Sequence, residues 1–333
     1  MPPRIFLTHS PEMFDGFYGT GALAGLQALG EVVRNPAPHA LDTAGVIAHA
    51  RECQVIVSDR QTSGPAELFE GLPDLVAFVR CAVDIRNVDV AAASTAGVLV
   101  TQASAGFMTA VAEMGLGMMI DLSRNISRSV ADHRAGRAPA LLMGRELKGA
   151  TSGIMGFGAI GREMARLCRA VGMNVLVSDP HKTIAEPGLT QVSFADLLAR
   201  SDYVICLVVA TDATECLMNA AAFAAMKRDA VFINLSRGNL VDEEALGHAL
   251  DDKIIAGAAM DVGRAFDQMP SPALARRPDV IATPHIAGRT PQAVAHQALE
   301  TVAQVAAILE GRAPVGAINA DRAHRLRRFG PSA

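Results

Sequence analysis

The chain has 333 residues, with 34 Asp and Glu against 30 Lys and Arg, and half of its residues are apolar. That is too hydrophobic for a disordered chain and long enough for two domains of roughly 100 to 200 residues each. A formal net charge of −4 leaves no basic footprint for nucleic acid, so a small molecule is the expected partner.

The longest apolar run, Ala110 to Leu122, carries Glu113 and Asp121, which argues against a membrane span of about 18 to 20 residues. The N-terminal Ile5 to Leu7 is too short an apolar core for a secretory signal. Five cysteines, Cys53, Cys81, Cys168, Cys206 and Cys216, are odd in number and lack C-x-x-C spacing. They predict no metal site and a reducing, cytoplasmic setting.

Short aliphatic segments at Arg4 to Thr8, Val55 to Asp59, Leu75 to Val79 and Val98 to Thr101 alternate with helix-length stretches, the pattern of a parallel sheet in an α/β fold. Gly19, Gly21 and Gly25 are spaced one residue too long for a nucleotide-binding turn and read as a loop entering a helix. A long apolar helix is predicted at Met108 to Arg124, where Gly115 and Gly117 allow close approach to a neighbour. The polar stretch Asp132 to Lys148, broken by Gly136, Pro139 and Gly144, reads as a surface connection.

From Thr151 the pattern sharpens into a strand at Ser152 to Gly156, a helix at Ala159 to Val171 and a strand at Asn174 to Asp179. Ser193 and Asp196 are spaced as a helix start. Later strands are predicted at Tyr203 to Val209, Ala230 to Leu235, Ile255 to Val262 and Val280 to Thr283. Thr290 and Pro291 open a last helix that Gly311 closes. Because this helix follows the end of the second sheet, it is expected to return to the first domain.

Within this order, Gly156-Phe157-Gly158-Ala159-Ile160-Gly161 matches G-x-G-x-x-G. The three glycines serve a tight turn, close approach of backbone to a pyrophosphate, and close packing of helix on strand. The second strand ends in Asp179, eighteen residues beyond Gly161, where a carboxylate accepts hydrogen bonds from an adenosine ribose. A dinucleotide is therefore the expected ligand, held by Gly156, Gly158, Ala159, Ile160, Gly161 and Asp179. Asp179 favours NAD by repelling a 2′-phosphate, while His181 and Lys182 nearby leave NADP open.

Downstream, Phe232-Ile233-Asn234-Leu235-Ser236-Arg237-Gly238-Asn239-Leu240-Val241-Asp242-Glu243 resembles the Arg-bearing signature of the D-isomer-specific 2-hydroxyacid dehydrogenases. Ala282-Thr283-Pro284-His285-Ile286-Ala287-Gly288 resembles their histidine motif, and Ala258 to Val262 and Val111-Ala112-Glu113 also agree. The resemblance runs from about Leu75 to Asn319. It implies a Rossmann nucleotide-binding domain over 101–289 and a smaller flavodoxin-like substrate domain from both chain ends, 1–100 and 290–333. It also implies a homodimer in which the helix through Arg124 and the segment after it supply much of the interface.

The chemistry implied by the resemblance is hydride exchange between NAD and a 2-hydroxy or 2-keto acid. Arg237 would pair with the substrate carboxylate and polarise the carbonyl, and His285 would give and take the proton. Asp261 would stand near the nicotinamide amide, Leu207, Val208 and Val209 would line the cofactor's edge, and Thr214 would stand nearby.

Two stretches depart from the family pattern. The acid that orients the histidine is normally Glu five residues after the Asp of the Asp-Val pair, and counting from Asp261 gives Phe266. A one-residue insertion brings Asp267 into the role, and two bring Gln268; Asp267 is the choice. Relatives have glycines in the substrate loop whose backbone N–H groups receive the substrate carboxylate; here the run is Ala82-Val83-Asp84, with Ala82 and Asp84 replacing glycines, and Asp84 beside an anionic substrate is unfavourable unless Arg86 neutralises it or it turns away. Two rival readings stay open: a dinucleotide-sensing relative without turnover, and a dehydrogenase of the same fold acting on another small anion.

Overall fold

The computed structural model describes residues 2–330; the side chain of Asp267 lies outside the described residues. The chain divides into two compact units, residues 1–106 with 290–333 and residues 107–289. No helix among the described residues is long and apolar enough to cross a membrane.

In the first unit five parallel strands, β1 (Arg4–Leu7), β2 (Glu31–Arg34), β3 (Val55–Ser58), β4 (Ala77–Arg80) and β5 (Leu99–Gln102), pair in the order β2-β1-β3-β4-β5. This is the flavodoxin-like doubly wound order. Successive residues point to opposite faces. Ile5, Leu7, Val55 and Val57 therefore join one core cluster, whereas Phe6, Ile56, Phe78 and Val100 join another.

The helix Pro291–Leu309 belongs to this unit and adds Ala298, Val305 and Ile308 to the first of those clusters. Thr290 caps it, its side chain accepting from the Ala293 N–H, and Pro291 opens its first turn.

The second unit contains β6 (Thr151–Met155), β7 (Asn174–Ser178), β8 (Leu189–Gln191), β9 (Tyr203–Cys206), β10 (Val231–Asn234), β11 (Gly257–Met260) and β12 (Val280–Ala282). They form one parallel sheet in the order β12-β11-β10-β9-β6-β7-β8, a Rossmann arrangement whose strand order reverses at β6. Apolar clusters cover both faces, with Phe232 and Met260 on one and Ile154 and Ile233 on the other. Such doubly buried strands read as continuous apolar runs.

The long helix Met108–Arg124 packs within this second unit. Gly115 permits the contact, since a Cβ there would lie 2.8 Å from Leu235 Cδ1 and 3.1 Å from Met164 Sδ. Gly117 faces open space instead. A further helix, Ile126–Arg134, covers the beginning of what reads in sequence as a surface connection and buries none of its residues.

Candidate active site

Six strands of the second sheet deliver candidate residues to one edge. In spatial order, His285 follows β12, Asp261 follows β11, Arg237 follows β10, Leu207 to Val209 follow β9, the glycine turn follows β6 and Asp179 follows β7. All of these positions lie beyond the carboxyl ends of parallel strands, the edge where open α/β sheets bind ligands.

The glycine turn is built as its spacing predicts. Gly156 has φ +87°, and a Cβ on it would sit 2.7 Å from the Leu207 carbonyl oxygen. Any side chain there would be strained and would collide with the loop after β9. At Gly161 a Cβ would lie 2.3 Å from Gly156 O, so only glycine lets the helix Ala159–Ala170 begin this close to the turn. Around Gly158 nothing stands within 4 Å, which leaves the helix N-terminus open to an anion. The N–H groups of Ala159, Ile160 and Gly161 have no acceptor inside the helix and can meet a pyrophosphate.

Asp179 is tied to that turn. Its carboxylate accepts the N–H of Phe157 and the N–H of His181, both at 2.9 Å. Partial burial opposes ionisation, but these two N–H groups, with Lys182 and His181 nearby, hold Asp179 below the usual carboxylate range. Each oxygen retains a lone pair that can accept from a ribose hydroxyl. Lys182 donates from Nζ to the Phe157 carbonyl at 2.7 Å. The open glycine cradle and the ionised carboxylate fit a dinucleotide.

On the other side of the sheet, His285 adopts φ +54°, a left-handed backbone that costs a non-glycine residue roughly 1 kcal/mol or more. The cost is offset by the 1 %-exposed Asp261. The backbone carbonyl of Asp261 accepts the N–H of His285 at 2.9 Å. Its carboxylate accepts the hydroxyl of Thr283 at 2.6 Å and the N–H groups of Ile286 and Ala287, each at 2.9 Å. Asp261 thus clamps the histidine loop on both sides of His285.

Arg237 follows β10 with extended backbone and donates from Nη1 to the Ser236 carbonyl at 2.7 Å. Its loop is fixed by the buried Asn234, which donates from Nδ2 to Arg237 O at 2.9 Å and accepts from Ser236 N at 3.1 Å. A Cβ on Gly238 would fall 2.0 Å from Gly263 O, so the arginine loop and the loop after β11 touch backbone to backbone. Sequence reasoning passed over Asn234, Ser236 and the clamping role of Asp261. The signal was a polar residue at the end of an otherwise apolar strand.

The remaining candidates vary in setting. Val209 is exposed, while Leu207 and Val208 are half-buried. The Thr214 hydroxyl is engaged locally, donating to Val209 O at 3.0 Å within a capping box. The backbone of Asp267 lies in the single turn Phe266–Gln268, which closes on itself through Gly263 N donating to Gln268 O at 2.7 Å. Gln268 has φ +58° and a buried Oε1 without a hydrogen-bond partner among the described residues. Among the described residues no group of three or more His, Cys, Asp or Glu could hold a metal ion.

In the first unit, Ala82, Val83 and Asp84 lie on the loop after β4. Arg86 grips the Asp84 carboxylate with two nitrogens, Nε at 3.0 Å and Nη2 at 2.6 Å. The aspartate that replaces a glycine is therefore neutralised by its neighbour two residues on.

Residues 116–287 match the NAD binding domain of the D-isomer specific 2-hydroxyacid dehydrogenases. A chloroplastic D-3-phosphoglycerate dehydrogenase of Arabidopsis thaliana is 33 % identical over 273 residues, 80 % of this chain and 46 % of that protein. The chain thus spans about half the length of that relative. A hydroxypyruvate reductase of Thermotoga maritima is 30 % identical over 260 residues, 76 % of this chain and 84 % of that protein. Among solved structures, the NADPH-dependent glyoxylate/hydroxypyruvate reductase of Sinorhizobium meliloti superposes with a TM-score of 0.80 at 27 % identity, covering 95 % of this chain and 97 % of that one. The fingerprint turn, the clamped histidine and the arginine on one sheet edge agree with these matches, and the chain belongs to the D-isomer specific 2-hydroxyacid dehydrogenase family.

Proposed function

We propose that this protein is an NAD-dependent oxidoreductase that interconverts a 2-hydroxy acid and its 2-keto acid. The observation that carries the reading is the row His285, Asp261, Arg237 and Gly156 to Gly161 along one carboxyl edge of the second sheet. A proton donor, a fixed cation and a dinucleotide cradle are the three parts that reduction of a keto acid needs.

When bound, the dinucleotide supplies the hydride that the carbonyl carbon receives. Gly156, Gly158, Ala159, Ile160 and Gly161 hold its pyrophosphate, Asp179 its adenosine ribose, and Leu207, Val208, Val209 and Thr214 its flank. Arg237 pairs with the substrate carboxylate and draws charge onto the carbonyl oxygen, a task suited to its planar fork of donors. His285 gives that oxygen a proton in reduction and takes it back in oxidation. Asp261 keeps the imidazole where the loop puts it, beside any contact with the nicotinamide amide. Asp267 is the acid we assign to orienting His285. The loop Ala82, Val83 and Asp84 offers its backbone N–H groups to the substrate.

We further propose that NAD is preferred over NADP, because Asp179 is ionised where a 2′-phosphate would approach. Assembly as a homodimer is supported by apolar side chains left at the surface of the second unit. Ile126 is 48 % exposed, Val130 41 %, Leu142 49 % and Met143 97 %, side chains that a second copy could cover. Val130→Glu should convert the dimer to a monomer in analytical ultracentrifugation, and a wild-type monomer would refute the assembly. A cytoplasmic setting is supported by thiols packed as small apolar groups, with Cys53, Cys81, Cys168 and Cys206 each in a core cluster.

The test is a spectrophotometric screen of 2-keto acids with NADH and NADPH, including bulky and cationic side chains. Reduction of at least one acid with NADH preferred supports the reading. Tight NADH binding without turnover on any acid would replace it with a cofactor-sensing role.

A further inference from the structure

The first unit holds a buried cation that the proposed chemistry does not use. Arg80 is the last residue of β4, it is fully buried, and its guanidinium points into loops rather than to solvent. Nη1 donates to the Asp59 carbonyl, and Nη2 donates to Thr62 O at 2.8 Å and to Asn87 Oδ1 at 2.7 Å. Burial lowers Arg80 to about 10, so it stays charged at neutral pH. A charge this deep is seldom the cheapest way to fill a core, which directs attention to what its fork joins.

It joins the loop after β3 to the loop after β4. Asn87 completes the bond from the far end, donating from Nδ2 to Arg60 O at 3.3 Å and Thr62 O at 3.4 Å. Its carbonyl accepts Gly64 N at 2.9 Å, and Gly64 O accepts Asp89 N at 2.8 Å. The partner loop is itself rigid, because Asp59 Oδ1 accepts the N–H groups of Gln61 and Thr62 at 2.9 and 2.8 Å. Thr8, the residue after β1, holds it, its hydroxyl accepting Asp59 N at 3.1 Å and the Thr62 hydroxyl at 2.8 Å.

Between the anchors at Arg80 and Asn87 lies the stretch Ala82 to Arg86. Asp84 and Arg86 in it are largely exposed and bonded to each other. The stretch is tied down at Arg80 and Asn87, and Ala103 N donates to Ala82 O at 3.1 Å.

We propose that Arg80 and Asn87 are positioning residues for the substrate, fixing the backbone of Ala82 to Asp84 by locking it to the Asp59–Thr62 loop. This inference rests on the reading that the Ala82–Asp84 loop receives the substrate. Backbone donors act on a carboxylate only when they are aimed in advance, and a shift of about 1 Å is enough to lose much of their effect.

The test uses the full chain and a panel headed by hydroxypyruvate and glyoxylate with NADH. Asn87 is exposed, so Asn87→Ala should fold. It should raise KM for the best keto acid about tenfold, with kcat within about threefold and the NADH Kd within about twofold of wild type. Asn87→Asp, which keeps an acceptor for Arg80, should recover most of that loss. Arg80→Lys, which keeps the charge without the fork, should behave like Asn87→Ala. Unchanged KM in Asn87→Ala beside a lowered melting temperature would make the brace purely structural and overturn the proposal. A wild-type protein that reduces no member of the panel would instead overturn the functional reading on which it rests. If Arg80→Lys does not fold, the two Asn87 variants decide.

Discussion

The backbone carbonyl of Asp261 accepts the N–H of His285 at 2.9 Å while the same residue's carboxylate takes the next two N–H groups, those of Ile286 and Ala287. One buried side chain thereby holds the histidine in a left-handed conformation at φ +54°. Asp261→Ala would strip acceptors from the Thr283 hydroxyl and both N–H groups, and we expect a stability loss of about 2–4 kcal/mol. Asp261→Asn keeps one carbonyl oxygen but turns an NH2 toward a backbone donor, and should lower kcat more than it lowers stability. Urea melts and steady-state kinetics of the pair check this; wild-type kcat in Asp261→Asn would show that the clamp does not matter to His285.

Arg237 is fixed by Asn234 and backed by Gly238, so its guanidinium is presented on a rigid loop. Arg237→Ala should raise KM for the keto acid and lower kcat together, because a carboxylate partner and a carbonyl polariser are lost in one side chain. Arg237→Lys should restore only part of the rate, since an ammonium supplies charge without two parallel donors. Full rescue by lysine would reduce the role to charge alone.

Asp179 is held ionised by Phe157 N–H, His181 N–H and Lys182. Titration should therefore give a lower Kd for NADH than for NADPH, and Asp179→Ala should narrow the gap. A wild-type preference for NADPH would contradict this assignment.

Much of this edge was legible because its constraints are local. Gly156 and Gly161 announce a turn and a close helix start within six residues, and Asp179 ends the strand that follows. The Ser193 cap and the Thr290-Pro291 helix start read directly for the same reason. Edge strands did not read. β2 has only Val32 and Val33 half-buried, and β8 has three residues without a buried one, so neither carries an apolar run.

Buried polar partnerships were the other blind spot. Arg80 meets Thr62, eighteen positions away, and Asp261 meets Ala287, twenty-six away. Nothing in the spacing of such pairs marks them until the strands are assembled.

His9 gives the protein a pH dependence of its own. It is 1 % exposed, its ring lies 4.7 Å from that of Tyr18, and neither ring nitrogen has a hydrogen-bond partner among the described residues. Burial lowers His9 to about 4, with Asp59 opposing and Arg80 and Arg34 reinforcing the shift. The unfolded histidine titrates near 6.5. Between those values the unfolded chain binds a proton that the folded one refuses. The stability contribution is complete above about pH 6.5, falls on acidification, and stops falling near pH 4. His9→Phe should flatten that part of the profile by on the order of 1–3 kcal/mol. Urea midpoints at pH 7 and pH 4.5 measure it, and an equal slope in both proteins would refute the assignment.

We assign His285 the proton in a hydride-transfer reaction on a 2-keto acid. This role is tested most directly by kcat for the best accepted keto acid in wild type and His285→Ala, with NADH titration of both. The kcat should fall about a hundredfold or more, with NADH affinity kept because Gly156 to Gly161 and Asp179 are untouched. Near-normal turnover in His285→Ala with cofactor binding intact would contradict it.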